Sequence, residues 1–334
     1  MVAFPLLFAF ITVILDTLRA RKPLIKTSFL LGGAAFPAGG IFLMENGREE
    51  VVGGWSKVAG IEVGIGGGVN APLIAGELIL FITVAFYSLS YFDFREKKTP
   101  KVLAVLLLMH AGLLGGAFLA RDFFNFYIYM EIASVSAFAL VAFSGGEKGA
   151  KRAAFKYLIL SLLASYLFIF ALGLVYMETG GYLNVKLVAG TALPGRELNA
   201  ALGGIALTAL IMKAGVFPLH FWLPDAHSKA PPTPVSAMLS GAVVNAPPAY
   251  GMMLLFSALP VGESLKTAAL TVATASIFFG VVMMLLQAEA KRFLAYSTVS
   301  QMGYVLLGIG TLNFTGGAAY YALAHSLAKG GASS

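Results

Sequence analysis

Apolar runs of about 20 residues recur along the whole 334-residue chain, and this feature constrains the fold more than any other. A helix of that length spans about 30 Å, which is the thickness of the hydrocarbon core of a bilayer. Only 12% of the residues are charged, about half the usual share in a soluble domain. The sequence therefore predicts an all-α polytopic membrane protein. It excludes a soluble globular enzyme, a disordered chain and a disulfide-rich secreted scaffold.

Eleven apolar segments are predicted as transmembrane spans, and ten of them are long enough to cross the hydrocarbon core. They are residues 2–18, 27–44, 71–92, 100–120, 123–143, 154–177, 199–223, 234–258, 266–287, 292–312 and 316–329. The first segment has no basic residues before it, so we interpret it as a transmembrane helix and not as a signal peptide. The 38 glycines are typical of helices that pack closely in lipid.

The distribution of Lys and Arg predicts the orientation of the chain. Of the 23 basic residues, 15 lie in the odd-numbered loops, six in the even-numbered loops and two inside spans. Cytoplasmic loops carry an excess of Lys and Arg, so the N-terminus is expected outside the cell. The net charge of +7 is then an orientation signal and does not predict nucleic-acid binding.

Two ionisable residues fall near the middle of apolar segments, where a charge is costly and marks a functional candidate. Glu131 lies about nine residues into span 5, and Lys213 is similarly central in span 7. A carboxylate and an ammonium at one depth can pair, and separating them favours the uncharged form of each, as a proton relay requires. Gly215 and Pro218 interrupt the helix directly after Lys213, which is typical of ion sites in transporters. A static ion pair that pins two helices is the alternative.

Other ionisable residues are weaker candidates. Asp16 is expected at the membrane interface, and Glu77 lies either in the membrane or near the outer end of span 3. His110 is interpreted as a hydrogen-bonded core residue. His325 precedes Lys329 by one helical turn on the same face, which favours a role in proton relay.

The sequence predicts no cofactor and no metal site of its own. With no Cys in the chain, thiolate metal sites, cysteine-ligated iron–sulfur clusters and disulfides are excluded. The histidines show no haem spacing, and the Gly-rich stretch 64–68 lacks the strand-to-helix context of a phosphate-binding loop. Whether the chain forms part of an enzyme therefore depends on its partners.

The segment HFWLPDAHSKAPPTPVSAMLSG, residues 220–241, makes the sequence specific. It resembles the antiporter-like subunits shared by Mrp-type cation/proton antiporters, respiratory complex I and the related membrane-bound hydrogenases and sulfur-reducing complexes. Further stretches similar to that family are VGGWSKVAGIEVGI, YMEIASVSAFAL, KRFLAYSTVSQMGYVLLGIG and YYALAHSLAKG. The resemblance implies inverted five-helix repeats with a broken helix in span 7. A single transmembrane domain, 1–334, would then comprise N-terminal helices (1–99), a first repeat (100–258) and a partial second repeat (266–334).

The resemblance also implies roles for individual residues. Glu131 would modulate charge as the partner of Lys213, and protons would pass laterally towards His325 and Lys329. The cytoplasmic mouth would be formed by Asp225, His227 and Lys229.

Two features depart from the family pattern. Asn245 stands at or next to a position in span 8 where the family usually has Lys or His, and an amide cannot carry a proton as a charge. The chain also ends just past Lys329, before the further spans that family members usually have. The second repeat is therefore expected to be truncated, or to be completed by another subunit.

Three functions remain open at this stage. The first is a proton-translocating or sodium/proton-exchanging subunit of a multi-subunit complex in a prokaryotic membrane, surrounded by lipid and by further membrane subunits. The second is a structural or adaptor subunit of the same complex, in which the relay is interrupted at Asn245. The third, a stand-alone solute transporter, is disfavoured by the specific segment 220–241.

Overall fold

The computed structural model describes residues 3–46, 49–52, 61–64, 69–93, 96, 98–114, 119–143, 149–191, 196–229, 233–259 and 262–333. Within these residues the fold is helical apart from one short antiparallel hairpin. The hairpin consists of β1 (Glu49–Val52) and β2 (Ile61–Gly64), with Glu49 opposite Gly64 and Val52 opposite Ile61. This hairpin lies in the loop between the second and third predicted spans.

The first eight helices lie in the part of the chain that contains the first seven predicted apolar segments. They are α1 (Ala3–Thr17), α2 (Lys22–Asn46), α3 (Asn70–Tyr91), α4 (Thr99–Gly112), α5 (Phe123–Ala142), α6 (Ala150–Glu178), α7 (Val185–Gly190) and α8 (Arg196–Lys213). The remaining helices are α9 (Leu223–Lys229), α10 (Thr233–Met238), α11 (Ala246–Ala258), α12 (Glu263–Leu285), α13 (Ala290–Gly310) and α14 (Tyr320–Ser333).

Five described helical stretches are long and apolar enough to cross a membrane. They are Asn70–Tyr91, Phe123–Ala142, Ala150–Glu178, Pro234–Ala258 and Glu263–Leu285. Shorter apolar helices are Ala3–Thr17, Thr99–Gly112 and Leu198–Lys213. The chain is thus a multi-pass, essentially all-α membrane protein, while the prediction of eleven spans stays a prediction.

Three predicted spans differ from a single regular helix, and the break in span 7 was expected from Gly215 and Pro218. The span predicted over 199–223 stops as a regular helix at Lys213 and resumes only with the short α9. The span predicted over 234–258 contains α10, a π-helical segment (Leu239–Val243) and α11, because the i→i+4 hydrogen-bond ladder breaks before Asn245. In the span predicted over 100–120, α4 ends at Gly112, and Leu119 lies outside regular helix.

The interrupted helices lie at the centre of the packing. Residues 234–256 are all buried, whereas few residues of Glu263–Leu285 are buried. The π-helical segment packs against α3, α5 and α14, and α11 packs against α8. The chain therefore places its irregular backbone inside protein, where hydrogen-bond partners are available, and not against lipid.

Candidate functional site

A buried charge cluster lies where α5, α6 and α8 meet. Lys213 Nζ contacts Glu131 Oε1 and also donates to Ser134 Oγ and Ser161 Oγ, each at 3.0 Å. Ser165 Oγ donates to the same Glu131 oxygen. The side chain of Lys213 is 4% exposed and that of Glu131 is 18% exposed. The ammonium is thus held by one carboxylate and two hydroxyls in the protein interior, the arrangement that a buried ion pair needs.

The geometry of the chain at the end of α8 places Lys213 at a helix terminus. Gly215 adopts φ +62, a left-handed conformation that glycine tolerates, and a Cβ there would come 2.9 Å from Leu223. Trp222 Nε1 donates to the carbonyl of Met212 at 2.9 Å, satisfying one of the last carbonyls of the helix. Lys213 consequently lies where the partial negative charge of a helix C-terminus also stabilises a cation.

The segment after the break is anchored by Asp225. Its carboxylate accepts from Lys156 Nζ on α6 and from Arg292 Nη2 on α13, each at 2.8 Å. About a third of the Asp225 side chain is exposed, so this triad lies near the surface of the protein. His227, two residues further along, is buried. Lys229 ends α9, and its side chain lies outside the described residues.

A second polar cluster joins α13, α14 and the π-helical segment. His325 Nδ1 lies against Gln301 Oε1, and its Nε2 lies 3.3 Å from the carbonyl of Ser240. Lys329 Nζ donates to the carbonyl of Leu294 at 2.8 Å. Both His325 and Lys329 are buried, so the helical turn that the sequence places between them brings both groups into the interior.

Asn245 follows the π-helical segment, which packs against both α5 and α14. Its side chain is hydrogen-bonded to α14. Its Nδ2 donates to the carbonyl of Ala322 at 2.7 Å and to Ser326 Oγ at 3.0 Å. Ser326 Oγ in turn donates to the carbonyl of Gly241 at 2.7 Å. Asn245 is fully buried, and its Oδ1 makes no hydrogen bond in the described structure. Its surroundings are thus polar backbone and hydroxyl groups.

Two residues that the sequence analysis treated separately form a pair. Glu77 Oε1 lies 2.7 Å from His110 Nδ1, and both side chains are fully buried between α3 and α4. Glu77 is therefore buried in the protein interior, with His110 as its partner. His110 is a buried, hydrogen-bonded residue as expected, but its partner is a carboxylate. Asp16 lies at the partly exposed end of α1.

A third group of polar residues joins the hairpin to the start of α5 and α7. Asn184 Nδ2 donates to the buried Glu62 Oε2, and the Arg121 amide donates to the carbonyl of Glu62 at 2.9 Å. Asp122 caps α5 by accepting from the Asn125 amide at 2.7 Å. Burial raises the pKa of the Asp122 carboxyl to about 6, and the nearby Glu62 carboxylate adds to the rise.

The Asp122 carboxyl predicts a pH dependence of stability. Because its pKa is about 6 in the folded protein and 3.8 in the reference state, its contribution is fully present below about pH 4 and is lost as pH rises through 6. The loss is on the order of 3 kcal/mol. Asn at this position keeps the cap but does not titrate. We therefore expect Asp122→Asn to flatten the fall in thermal unfolding midpoint between pH 4 and pH 6.

The matched control for that measurement is Glu263→Gln, because the Glu263 side chain is 79% exposed. This variant should keep the pH profile of the parent protein in the same detergent. Equal slopes for Asp122→Asn and the parent would show that Asp122 does not cause the pH dependence.

The site residues predicted from the sequence thus fall into separate polar clusters. The structure brings Glu131 together with Lys213, and it places His325, Lys329 and Asn245 in a neighbouring part of the interior. Sequence reasoning missed the serines around Lys213 and the glutamine on His325. Their spacing was a usable signal, because Ser134 follows Glu131 by three residues and Ser161 precedes Ser165 by four. Among the described residues, no group of three or more His, Asp or Glu is placed to hold a metal ion.

Comparison with known proteins gives consistent matches. The transmembrane family described as NADH:quinone oxidoreductase/Mrp antiporter matches residues 120–332. NADH-quinone oxidoreductase subunit N of Desulforudis audaxviator is 36% identical over 84% of this chain, and a Na(+)/H(+) antiporter subunit of Alkalihalophilus pseudofirmus is 29% identical over 83%. This chain spans only 56% of the length of each.

The fold matches solved structures over nearly its whole length. A chain of the membrane-bound sulfane sulfur reductase, an archaeal respiratory membrane complex, superposes with a TM-score of 0.81 at 26% sequence identity. The match covers 98% of this chain and 68% of that one. The break after α8 and the interrupted stretch 234–258 lie inside the matched part of the sequence.

Proposed function

Because the chain belongs to the NADH:quinone oxidoreductase/Mrp antiporter transmembrane family, we propose that it is an ion-translocating, antiporter-like subunit of a multi-subunit membrane complex. It moves protons, or exchanges sodium for protons, in a prokaryotic cell membrane. Its partners are further antiporter-like and small transmembrane subunits, and the complex is redox-driven or of the Mrp type. The N-terminus faces the outside, as the excess of Lys and Arg in the odd-numbered loops indicates.

The observation that carries this proposal is the Glu131–Lys213 contact at the end of a broken helix. The carboxylate keeps the ammonium protonated while the two are in contact. When the helix end moves and the pair separates, the ammonium loses its stabilising partner and releases its proton. Ser134 and Ser161 hold the ammonium in the contact state, and both can accept hydrogen bonds from it in more than one position.

The released proton passes laterally towards His325 and Lys329. The π-helical segment packs against both α5 and α14, so it joins the part of the interior that holds Glu131 to the part that holds His325. Asp225, His227 and Lys229 form the cytoplasmic mouth, and the exposed Asp225 triad supports that assignment.

An adaptor subunit of the same complex is the second candidate function. Asn245 favours it, because its amide is engaged in hydrogen bonds to α14 and has no proton to give up as a charge. In that case the Glu131–Lys213 pair would pin α5 to α8 without taking part in transport.

Lys213→Ala tests the proposal in the assembled complex reconstituted into vesicles. We expect assembly to be retained and ion flux to fall to background, because the proton-carrying group of the pair is removed. Lys266→Ala is the matched control, since Lys266 forms an exposed ion pair with Glu263 at the end of α12. If Lys213→Ala keeps both assembly and flux, the translocation proposal is wrong and the adaptor function is favoured.

A further inference from the structure

The interior between α3 and α4 contains an acid–base pair that the proposed mechanism leaves unused. Glu77 Oε1 and His110 Nδ1 are 2.7 Å apart, and both side chains are 0% exposed. The imidazole is stacked on Phe81, with ring centroids 3.7 Å apart and planes within 15°. Glu77 lies seven residues, about 10 Å, from the first residue of α3, so the pair is deep within the helix bundle.

The hydrogen bonding of this pair is incomplete. Glu77 Oε2 and His110 Nε2 are both buried, and neither makes a hydrogen bond in the described structure. A pair that serves only to pin two helices is expected to have its remaining polar atoms satisfied, because each buried unpaired atom costs about 1 to 3 kcal/mol. One free atom is a carboxylate oxygen that can accept a proton, and the other is a ring nitrogen that can release one.

The helix that carries Glu77 packs against α14, to which the side chain of Asn245 is hydrogen-bonded. A Cβ on Gly76, the residue before Glu77, would lie 3.4 Å from Ser326 Cβ. Ser326 Oγ accepts from Asn245 Nδ2 at 3.0 Å, and Asn245 Oδ1 is a further buried atom without a hydrogen bond. α3 therefore carries Glu77 of the pair and, one position earlier, a residue that packs against α14, the helix to which Asn245 is hydrogen-bonded.

Other ionisable groups lie on the helices that pack around the Glu77–His110 pair. On α14, Lys329 and His325 are buried, and the Lys329 stem lies near Gly241, which also contacts Leu80 of α3. The helix packed on the other side of α4 is α5, which carries Glu131. Asp16 on α1 lies at the partly exposed end of its helix. The two polar clusters of the site thus lie on helices adjacent to the pair.

We propose that Glu77 and His110 form a second proton-carrying site, which exchanges protons with the cluster around Asn245. With a carboxylate at Glu77 and an imidazolium at His110 the pair is neutral. A proton binds at Glu77 Oε2 while another leaves His110 Nε2, so an O–H bond forms, an N–H bond breaks and the pair stays neutral. This transfer avoids placing a net charge in the membrane interior. It rests on the proposed function, because it supplies a titratable group on a helix that packs against α14, where Asn245 is bound.

Glu77→Gln and His110→Gln test the proposal in the reconstituted complex. Each variant removes the titratable group and keeps a side chain that forms hydrogen bonds. We expect proton flux to fall at least about tenfold in each, and the double variant to be no slower than either single variant because the two residues act as one unit. Phe81→Leu is the matched control, since it alters the packing against the imidazole and leaves both ionisable groups in place; it should retain flux within about twofold.

A spectroscopic measurement separates proton exchange from packing. In the parent protein labelled with ¹⁵N-histidine, we expect the ring-nitrogen signals of His110 to depend on the carboxyl group of Glu77, and Glu77→Gln to shift them. Unchanged flux in both assembled single variants overturns the proposal. A His110 signal that is the same in the parent protein and in Glu77→Gln also overturns it.

Three further outcomes are distinguishable. If a single variant fails to assemble, the exchanged pair Glu77→His with His110→Glu is measured instead; loss of flux in that variant when it is assembled contradicts the proposal. If Lys213→Ala loses flux and Glu77→Gln does not, this inference fails and the proposed function stands. If the parent protein itself carries no flux, the proposed function fails, and the histidine spectrum alone decides whether the pair exchanges protons.

Discussion

Glu131→Ala is expected to destabilise the protein by about 3 to 5 kcal/mol and to stop ion flux, because it leaves a buried ammonium without its carboxylate. The Lys213 side chain is 4% exposed, and its other hydrogen-bond partners are the neutral hydroxyls of Ser134 and Ser161. Two hydroxyls do not compensate a charge in a region of low dielectric constant. Thermal or denaturant unfolding of the purified protein in detergent measures the loss of stability, and vesicle flux measures the loss of transport.

The double variant Glu131→Leu with Lys213→Met separates the two possible roles of the pair. Replacing both charges by apolar groups of similar size is often neutral for stability, so we expect the unfolding midpoint to recover towards that of the parent protein. Flux should stay at background, since no proton-carrying group has been restored. Recovery of flux together with stability would show that the pair only pins α5 to α8, which is the adaptor function.

Gly280→Ala is expected to cause the second large effect, a loss of stability on the order of 3 kcal/mol or more. A Cβ on Gly280 would lie 2.5 Å from the backbone nitrogen of Ser300 and 2.8 Å from its Cα. Backbone atoms of a packed helix cannot move aside as a flexible side chain does, so α12 and α13 would have to separate. Ser300 Oγ also donates to the carbonyl of Ile277 at 3.1 Å, and this contact would be lost with the separation.

Gly173→Ala provides the matched control for that variant. Gly173 lies in α6, and no atom is within 4 Å of the position its Cβ would take. Because Ala has a higher helix propensity than Gly, this variant should be neutral or slightly more stable, by up to about 1 kcal/mol. Equal unfolding midpoints for Gly280→Ala and Gly173→Ala would contradict the close approach of α12 to α13.

The polar residues of the site illustrate what local pattern reveals. Glu131 and Lys213 were identified because a charge within an apolar span is rare and energetically costly. Such a charge can be recognised from the sequence without knowing how the helices pack. The end of α8 was equally visible, because Gly215 and Pro218 disfavour a continuing helix whatever surrounds them. The π-helical segment before Asn245 was not foreseen. No residue of the sequence Leu-Ser-Gly-Ala-Val specifies a π-helix by itself, so tertiary packing sets its geometry.

The partners of the buried histidines were beyond the reach of the sequence. Glu77 and His110 are 33 positions apart, and Gln301 and His325 are 24 apart. No spacing rule links residues on different helices, since the rotation and depth of each helix are set by its neighbours. The buried position of Glu62 has the same cause, because Asn184, 122 residues later, supplies its hydrogen bond.

By itself, the sequence determined that this chain is a multi-pass helical membrane protein, that two buried charges occupy similar depths and that a helix breaks beside one of them. These properties follow from the free-energy cost of placing charges and unpaired backbone groups in hydrocarbon. That cost applies to each segment separately, whatever its neighbours are. Only the tertiary structure decided which polar groups meet. It surrounded Lys213 with serines, tied Asn245 to α14 and paired Glu77 with His110. Such contacts depend on how helices pack against one another, and an apolar helix surface permits many packings until its small residues and polar groups select one.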